Sequence, residues 1–458
     1  MSTPRTVHAL SMTLLLGLFG PQPAFAHASE NASSSSEIHR SISTSTETAD
    51  AAESLPRLIQ WAITHDLAQQ QLNLQADALS EQGIASSQWM DPKLKVGVGG
   101  LPVDSFSLDE DPMTNLSVGL MQQFGRGDTL ALKNQQSQYL AESVRQQTGV
   151  RTLAISKAIS EQWIELVYLQ HVQQKMVQNK KLLNTLVQYL STNYGVGVNQ
   201  AQDLIQAELQ VHRIDDQLNA NQQQQQRRLA LLSEWLGDQA RTIQATQYPQ
   251  WAALTAVVNP QVNTRNHNPA SQPFVARLAA HPAITVVDAQ LQSAQTGIAI
   301  AEEAYQPQFS VEVMYAHRQA DRMDGSTAPD LVSAYLTLDI PLFTDKRQDK
   351  ALSAAQYQAG AVRTQRDLLI QQMQAQIQAT LADRTYLAER LQRYRDTLQP
   401  QARAKTQAVE RGYQNTTSSL DEYIKAASEE LTIAIEQSRI EADWQQANNT
   451  LAYLLNSY

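Results

Sequence analysis

The chain has 458 residues, a formal net charge of −10 and no cysteine. The missing cysteine excludes thiol catalysis, cysteine-ligated zinc, disulfide bonds and a lipid on an N-terminal cysteine, and moderate acidity argues against nucleic acid as a partner. Aromatic residues make up 6% and no proline occurs between Pro112 and Pro249, which suits long helices better than compact cores.

Residues 1–26 read as a secretory signal peptide: Arg5, an apolar stretch from Ala9 to Phe19, then Ala24-Phe25-Ala26 in the small-x-small order that precedes cleavage. Residues 27–53, rich in Ser, Thr and Ala, offer little to bury and read as a disordered arm. No later run approaches the roughly 18 apolar residues of a membrane-spanning helix, so any crossing of a bilayer would use strands.

A repeat fills residues 54–236. One helix is expected from Ser54, with Pro56 in its first turn, to Asp91-Pro92, because the residue before proline avoids helical geometry. Lys93 to Val98 then alternates apolar Leu94, Val96 and Val98 with Lys93, Lys95 and Gly97, and Leu116 to Leu120 follows a polar loop. That period of two means a sheet with one apolar face, which fits both a half-buried soluble sheet and a membrane barrel. From about Arg126 to Asn193, apolar residues recur at three- and four-residue steps: Ile155, Ile159, Trp163, Leu166, Leu169 and Val172 among them. A helix of about 65 residues extends about 100 Å. Tyr194-Gly195-Val196-Gly197 breaks it, and a second helix returns from about Asn199 to Leu236.

Residues 237–276, with Pro249, Pro260, Pro269 and Pro273, read as a linker with little regular structure. The pattern then repeats in 277–458: strands at Phe309 to Val313 and Leu336 to Ile340, a helix from about Lys346 to Arg411, a turn at Gly412-Tyr413-Gln414-Asn415, and a return from Ser418 to Leu455. One offset of 219 residues relates Tyr194 to Tyr413, Ile205 to Ile424 and Ala207 to Ala426. A duplication this ordered defines the architecture.

Local patterns resemble the outer-membrane efflux family of TolC-like channels. They are Ile340-Pro341-Leu342-Phe343 at a strand-to-helix junction, Leu398-Gln399-Pro400-Gln401-Ala402 before the second tip, and Tyr194-x-x-Gly197 followed by Gln202-Asp203-Leu204-Ile205-x-Ala207. Glu110-Asp111-Pro112-Met113-Thr114 and Phe124-Gly125-Arg126-Gly127 look most like members serving heavy-metal pumps. The first junction departs from the pattern, with Gln122-Gln123 where relatives have Pro-Leu.

The resemblance implies a mainly α fold with a small β part. Duplicated helical hairpins would form a trimeric α-barrel continuous with a twelve-stranded transmembrane β-barrel, four strands per subunit. It implies a homotrimer in outer-membrane lipid, with a periplasmic adaptor (membrane fusion) protein and an RND-type inner-membrane efflux pump as partners. The function it implies is passive conduction of solutes, heavy-metal cations among them, from pump and adaptor to the exterior. The alternatives are a periplasmic coiled-coil scaffold or adaptor, and the outer-membrane duct of a type I protein secretion system.

No enzyme constellation, cofactor site or metal site is expected. The nine histidines include no His-x-His or His-Glu-x-x-His pair, and Gly125-x-Gly127 and Gly195-x-Gly197 lack the rest of a phosphate loop. Asp109-Glu110-Asp111 is read as a solvated external loop with some power to collect cations. Candidate adaptor-docking residues at the tips are Tyr194, Gly195, Gly197, Ala201, Ala207, Tyr413, Leu420, Ile424 and Ala427. Asp203, Asp421 and Glu422 are candidates for a carboxylate ring at a tip constriction. Each equally suits the first turn of a helix, where the dipole favours acids.

Overall fold

The structure is a computed structural model that describes residues 54–196, 200–262, 273–415 and 417–458. The expected signal peptide and arm lie outside the described residues. Helices α1 (Leu55–Thr64) and α2 (Leu67–Ser86) lead to strands β1 (Lys93–Gly99) and β2 (Asn115–Gln123). Helices α3 (Thr129–Gly195) and α4 (Ala201–Leu236) form the first hairpin. Short helices α5 (Ala252–Val262) and α6 (Pro273–Ala279) follow, then α7 (Pro282–Glu303), β3 (Gln308–His317) and β4 (Leu331–Asp339). The second hairpin is α8 (Gln348–Arg393), α9 (Gln399–Gln414) and α10 (Leu420–Leu454).

The single helix expected from Ser54 is two. Asp66 breaks it because its carboxylate caps α2, accepting the Gln69 backbone N–H at 3.1 Å, and also takes both Nε and Nη2 of Arg151 on α3 at 2.9 Å. The Arg151 guanidinium holds the Asp66 carboxyl below its ordinary value of 3.8. A carboxyl depressed in the folded state stabilises it above the unfolded value, and that stabilisation is lost as pH falls through the folded one. Thermal unfolding at pH 6 and in steps below pH 4 is expected to show this loss, and Asp66→Asn to flatten it. An identical acid dependence in the variant would remove Asp66 from the account.

α5 and α6 correct the expectation of an irregular linker. Leu254 and Val258, one turn apart on α5, bury with Phe274 and Leu278 of α6 against Ile284, Met373, Ile377 and Leu451. Long-range packing supplies the stability that so short a helix lacks alone. The preceding Ile243 and Ala245 bury with Leu55, Leu58, Ile159, Trp163, Leu232 and Leu236.

The long helix expected up to Arg411 contains one π turn, Tyr394–Leu398, directly before Pro400. Proline has no N–H to give the preceding turn and its ring crowds that turn's carbonyl, so the wider turn relieves the contact. α3, its counterpart in the first repeat, runs 67 residues as α-helix, about 100 Å.

Nearest the strands α2 packs on α3, α3 on α7 and α7 on α8; toward the tips α4 packs on α3, α3 on α10, and α10 on α8 and α9. Arg439 of α10 joins the hairpins, donating to Glu165 of α3 at 2.9 and 3.1 Å and to Asp443 at 2.8 Å while lying 4.7 Å over the Tyr168 ring. These charge-assisted bonds, partly shielded from water, fix the register between α3 and α10.

Candidate functional site

The four strands form one antiparallel sheet in the order β1-β2-β3-β4. The central pairing joins the repeats, with Val118 opposite Tyr315 and Leu120 opposite Val313. Because side chains alternate across a strand, this register gathers the apolar positions of both repeats on one face. Leu94, Val96 and Val98 meet Leu120, Val118 and Leu116, and Phe309, Val311 and Tyr315 meet Leu338, Leu336 and Val332. That face is bare: Val96 is 74% exposed, Val118 50%, Val313 50% and Leu336 64%. A contiguous apolar patch of this kind marks a surface meant for lipid or protein.

The opposite face carries Lys93, Lys95, Ser117, Ser310, Glu312, Ser333 and Thr337. Lys95 Nζ reaches past Gly119, which has no side chain to block it, and donates to Glu312 Oε2 at 2.6 Å. β1 and β4 each have one unpaired edge within the chain. No helix among the described residues is long and apolar enough to cross a membrane.

Where strands become helices, a clasp unites the repeats. Arg126 pairs with Asp339 at the end of β4 and donates to the Gln306 carbonyl at 3.0 Å, while Glu303 at the end of α7 accepts the Asp128 N–H at 3.1 Å. Gly127 allows this approach: its φ is +42°, and a Cβ there would sit 1.7 Å from Glu303 Oε2. From sequence, Arg126 marks a helix start and Gly127 a break within a family-like pattern, with no sign of this clasp. Its partners are 175 or more residues away in sequence, beyond the reach of any local signal.

At the other end, the tips bring together most of the residues singled out in the sequence. Tyr413 stacks on Tyr423 at 6.2 Å and meets Tyr189 edge-on at 6.4 Å, above a core of Leu186, Leu190, Ala207, Ile214, Leu420 and Ile424. Ala207, Leu420, Ile424 and Ala427 are buried, so in this chain they build the tip from inside. Tyr194 and Ala201 are exposed. Gly195 ends α3 with no atom within 4 Å of a Cβ placed on it, and Gly197 lies outside the described residues.

The three tip acids differ in their surroundings. Glu422 closes a capping box: its carboxylate accepts the Ser419 N–H at 2.8 Å, and Ser419 Oγ accepts the Glu422 N–H at 3.3 Å. Asp421 binds Lys425 one turn on and accepts from Gln206 of α4 at 3.3 Å, and the Lys425 ammonium lowers its pKa. The side chain of Asp203 makes no hydrogen bond or ion pair among the described residues, which makes it the tip acid with an unengaged carboxylate. Ser419→Ala is expected to cost about 1 kcal/mol and to speed hydrogen exchange in the first turn of α10. Unchanged exchange there would leave the box without energetic weight.

A family model described as outer membrane efflux protein matches residues 276–457. The second repeat is thus similar in sequence to outer membrane efflux proteins. Solved structures extend the likeness to the rest. The chain superposes on the outer membrane protein VceC from Vibrio cholerae with a TM-score of 0.69 at 16% identity, covering 88% of this chain and 96% of that one. For a membrane protein from Pseudomonas aeruginosa the values are 0.70, 16%, 88% and 90%. For CusC, whose structures concern transmembrane channel formation, they are 0.68, 15%, 88% and 91%. At such identities the likeness establishes the fold: the mainly helical efflux-protein architecture with its small antiparallel sheet, running through both repeats. No curated protein sequence matches the chain.

Proposed function

We propose that this chain is one subunit of an outer-membrane efflux conduit, a protein that performs no chemistry and lets solutes leave the cell passively. The observation that carries the reading is the two-faced sheet with two open edges. An apolar face spanning all four strands suits hydrocarbon, and a face bearing Lys95, Glu312 and hydroxyl side chains suits water. In lipid the unpaired edges must be satisfied, and closure with further copies does this. Four strands enclose no pore, whereas three copies give a twelve-stranded barrel wide enough for one. A water-facing scaffold would leave the apolar face exposed, so the sheet disfavours that alternative.

In this reading the helices continue the pore into the periplasm, where an adaptor and an inner-membrane pump deliver the cargo. Adaptor docking falls to the exposed tip positions Tyr194 and Ala201, with Ala207, Leu420, Ile424 and Ala427 holding the tip in shape. Asp203 is the acid best placed to line a constriction, since its carboxylate has no other engagement among the described residues. Metal cations are the cargo suggested by the likeness of the 110–114 and 124–127 stretches to heavy-metal members. Deleting the gene and measuring tolerance to copper, zinc, cadmium and silver beside dyes and antibiotics tests both levels. Greater sensitivity to metals alone supports metal cargo. Sensitivity to dyes alone assigns another cargo, and unchanged tolerance to all, in a strain without a second channel, removes the efflux reading.

A further inference from the structure

Arg384 stands apart among the half-buried arginines of the helices. Arg151, Arg228, Arg366 and Arg439 each have a carboxylate between 2.5 and 3.9 Å away. Arg384, on α8, has no carboxylate partner among the described residues, and burial alone pushes its pKa below the ordinary arginine value. Among the described residues its only hydrogen bond runs from Nε to Asn448 Oδ1 of α10, at 2.8 Å. A cation withdrawn from water without a counter-charge is costly, and proteins ordinarily supply one.

Two further donors stand beside it. The bond from Arg384 assigns the Asn448 amide oxygen to the guanidinium, which leaves Nδ2 of the same amide as a donor beside it. Asn448 is 1% exposed, and its Nδ2 is buried without an acceptor. One turn earlier on α10, Trp444 holds its ring centroid 5.6 Å from the Arg384 guanidinium, and its Nε1 is also buried without an acceptor. Buried donors are paired in the great majority of cases. Here three neighbouring side chains offer donors, one of them charged, and the single protein acceptor among them is Asn448 Oδ1.

We propose that Arg384, Trp444 and Asn448 form a recognition site between α8 and α10 for one carboxylate or similar oxyanion. A guanidinium fork with flanking N–H groups matches the two oxygens of such a group. Two sources have this chemistry. One is a free oxyanion from solution. The other is a carboxylate of an adjacent copy, and this source rests on the ring reading above. α4 and α8 lie on opposite outer sides of the row α4-α3-α10-α8, so in a ring α4 of one copy meets α8 of the next. Gln446 and Asn449 of α10 bond to the backbone of Glu161 and Lys157 on α3, and Arg228 of α4 bonds to Gln162. The exposed Glu234, further along α4, therefore lies close to the level of Asn448.

The test uses the full-length protein purified in detergent, with thermal unfolding followed while sulfate replaces chloride at constant ionic strength. If the source is solution, the wild-type midpoint rises with sulfate, and the rise disappears in Arg384→Gln. Trp444→Phe, which keeps an aromatic ring and removes the N–H, weakens it. If the source is the adjacent copy, sulfate has no effect. Arg384→Gln and Glu234→Gln then each lower the midpoint of the assembled protein by several degrees, and the double variant is no worse than either single one. Two results overturn the site: an Arg384→Gln protein identical to wild type in midpoint and sulfate response, or a lower midpoint with neither a sulfate response nor coupling to Glu234. Neither requires conduction, so failure here is distinct from failure of the channel reading, which fractionation and metal tolerance test.

Discussion

Replacing Val118 with arginine is expected to prevent the protein from accumulating in the outer membrane. Val118 sits in β2 between Val96 of β1 and Tyr315 of β3, in the middle of the apolar face, and is half exposed. If that face meets hydrocarbon, a guanidinium near the bilayer centre costs about 2–4 kcal/mol per subunit, and every copy in a ring bears it. In water the same substitution would cost little, since arginine at an exposed strand position keeps its hydration. The neighbouring Ser117, whose hydroxyl donates to the Gly97 carbonyl at 3.2 Å, points the opposite way. Ser117→Arg should therefore reach the membrane at close to wild-type amounts and lower cation conductance in planar bilayers by placing positive charge along the pore. Membrane-fraction immunoblots of the two variants measure the contrast. Equal accumulation of both would mean that the apolar face does not contact lipid.

The largest loss of stability is expected from Trp163→Ala. Trp163 is 6% exposed in the core where α1, α3 and α4 meet the segment leading to α5, alongside Leu58, Ile159, Val167 and Leu236. Its Nε1 donates to the Gln247 carbonyl at 2.8 Å and so ties that segment to α3. Truncation removes a large ring and leaves a cavity that long, rigid helices cannot readily close, a loss of about 3–5 kcal/mol. It also strips a carbonyl of its donor. Trp163→Phe keeps most of the volume and loses only the hydrogen bond, which is worth about 1 kcal/mol. Denaturant unfolding of the pair separates packing from bonding, and equal losses would assign the effect to the hydrogen bond.

The sequence carried the strands, both hairpins and the duplication because each rests on a local period. Leu94, Val96 and Val98 alternate, and Ile155, Ile159, Trp163 and Leu166 recur at helical steps, whatever lies beyond them. The break at Asp66 had a local signal, the cap that Asp66 offers the Gln69 N–H, which the continuing helical period masked; only its tie to Arg151, 85 residues on, had none. α5 and α6 escaped because Leu254 and Val258 find their partners in α8 and α10. The pairing of β2 with β3, which makes one sheet from two repeats, has no local trace in either strand. At the tips, the 219-residue offset paired Tyr194 with Tyr413, Ile205 with Ile424 and Ala207 with Ala426, yet it could not distinguish buried Ala207 and Ile424 from exposed Tyr194 and Ile205. The Arg384 site was silent as well, since an arginine, a tryptophan and an asparagine on two helices form no motif until the helices pack.

Closure of β4 on β1 of another copy is the centre of this account, and cysteine cross-linking measures it directly, with no native cysteine to compete. Val96→Cys combined in turn with Val332→Cys, Ala334→Cys or Leu336→Cys covers the possible registers along β4. Within one chain these positions are at least three strand spacings apart, about 14 Å or more, too far for a disulfide. On oxidation in intact outer membranes, at least one pair should give a reducible ladder that ends at three chains. Monomers alone at every pair, with the protein recovered in the soluble fraction, would contradict the ring.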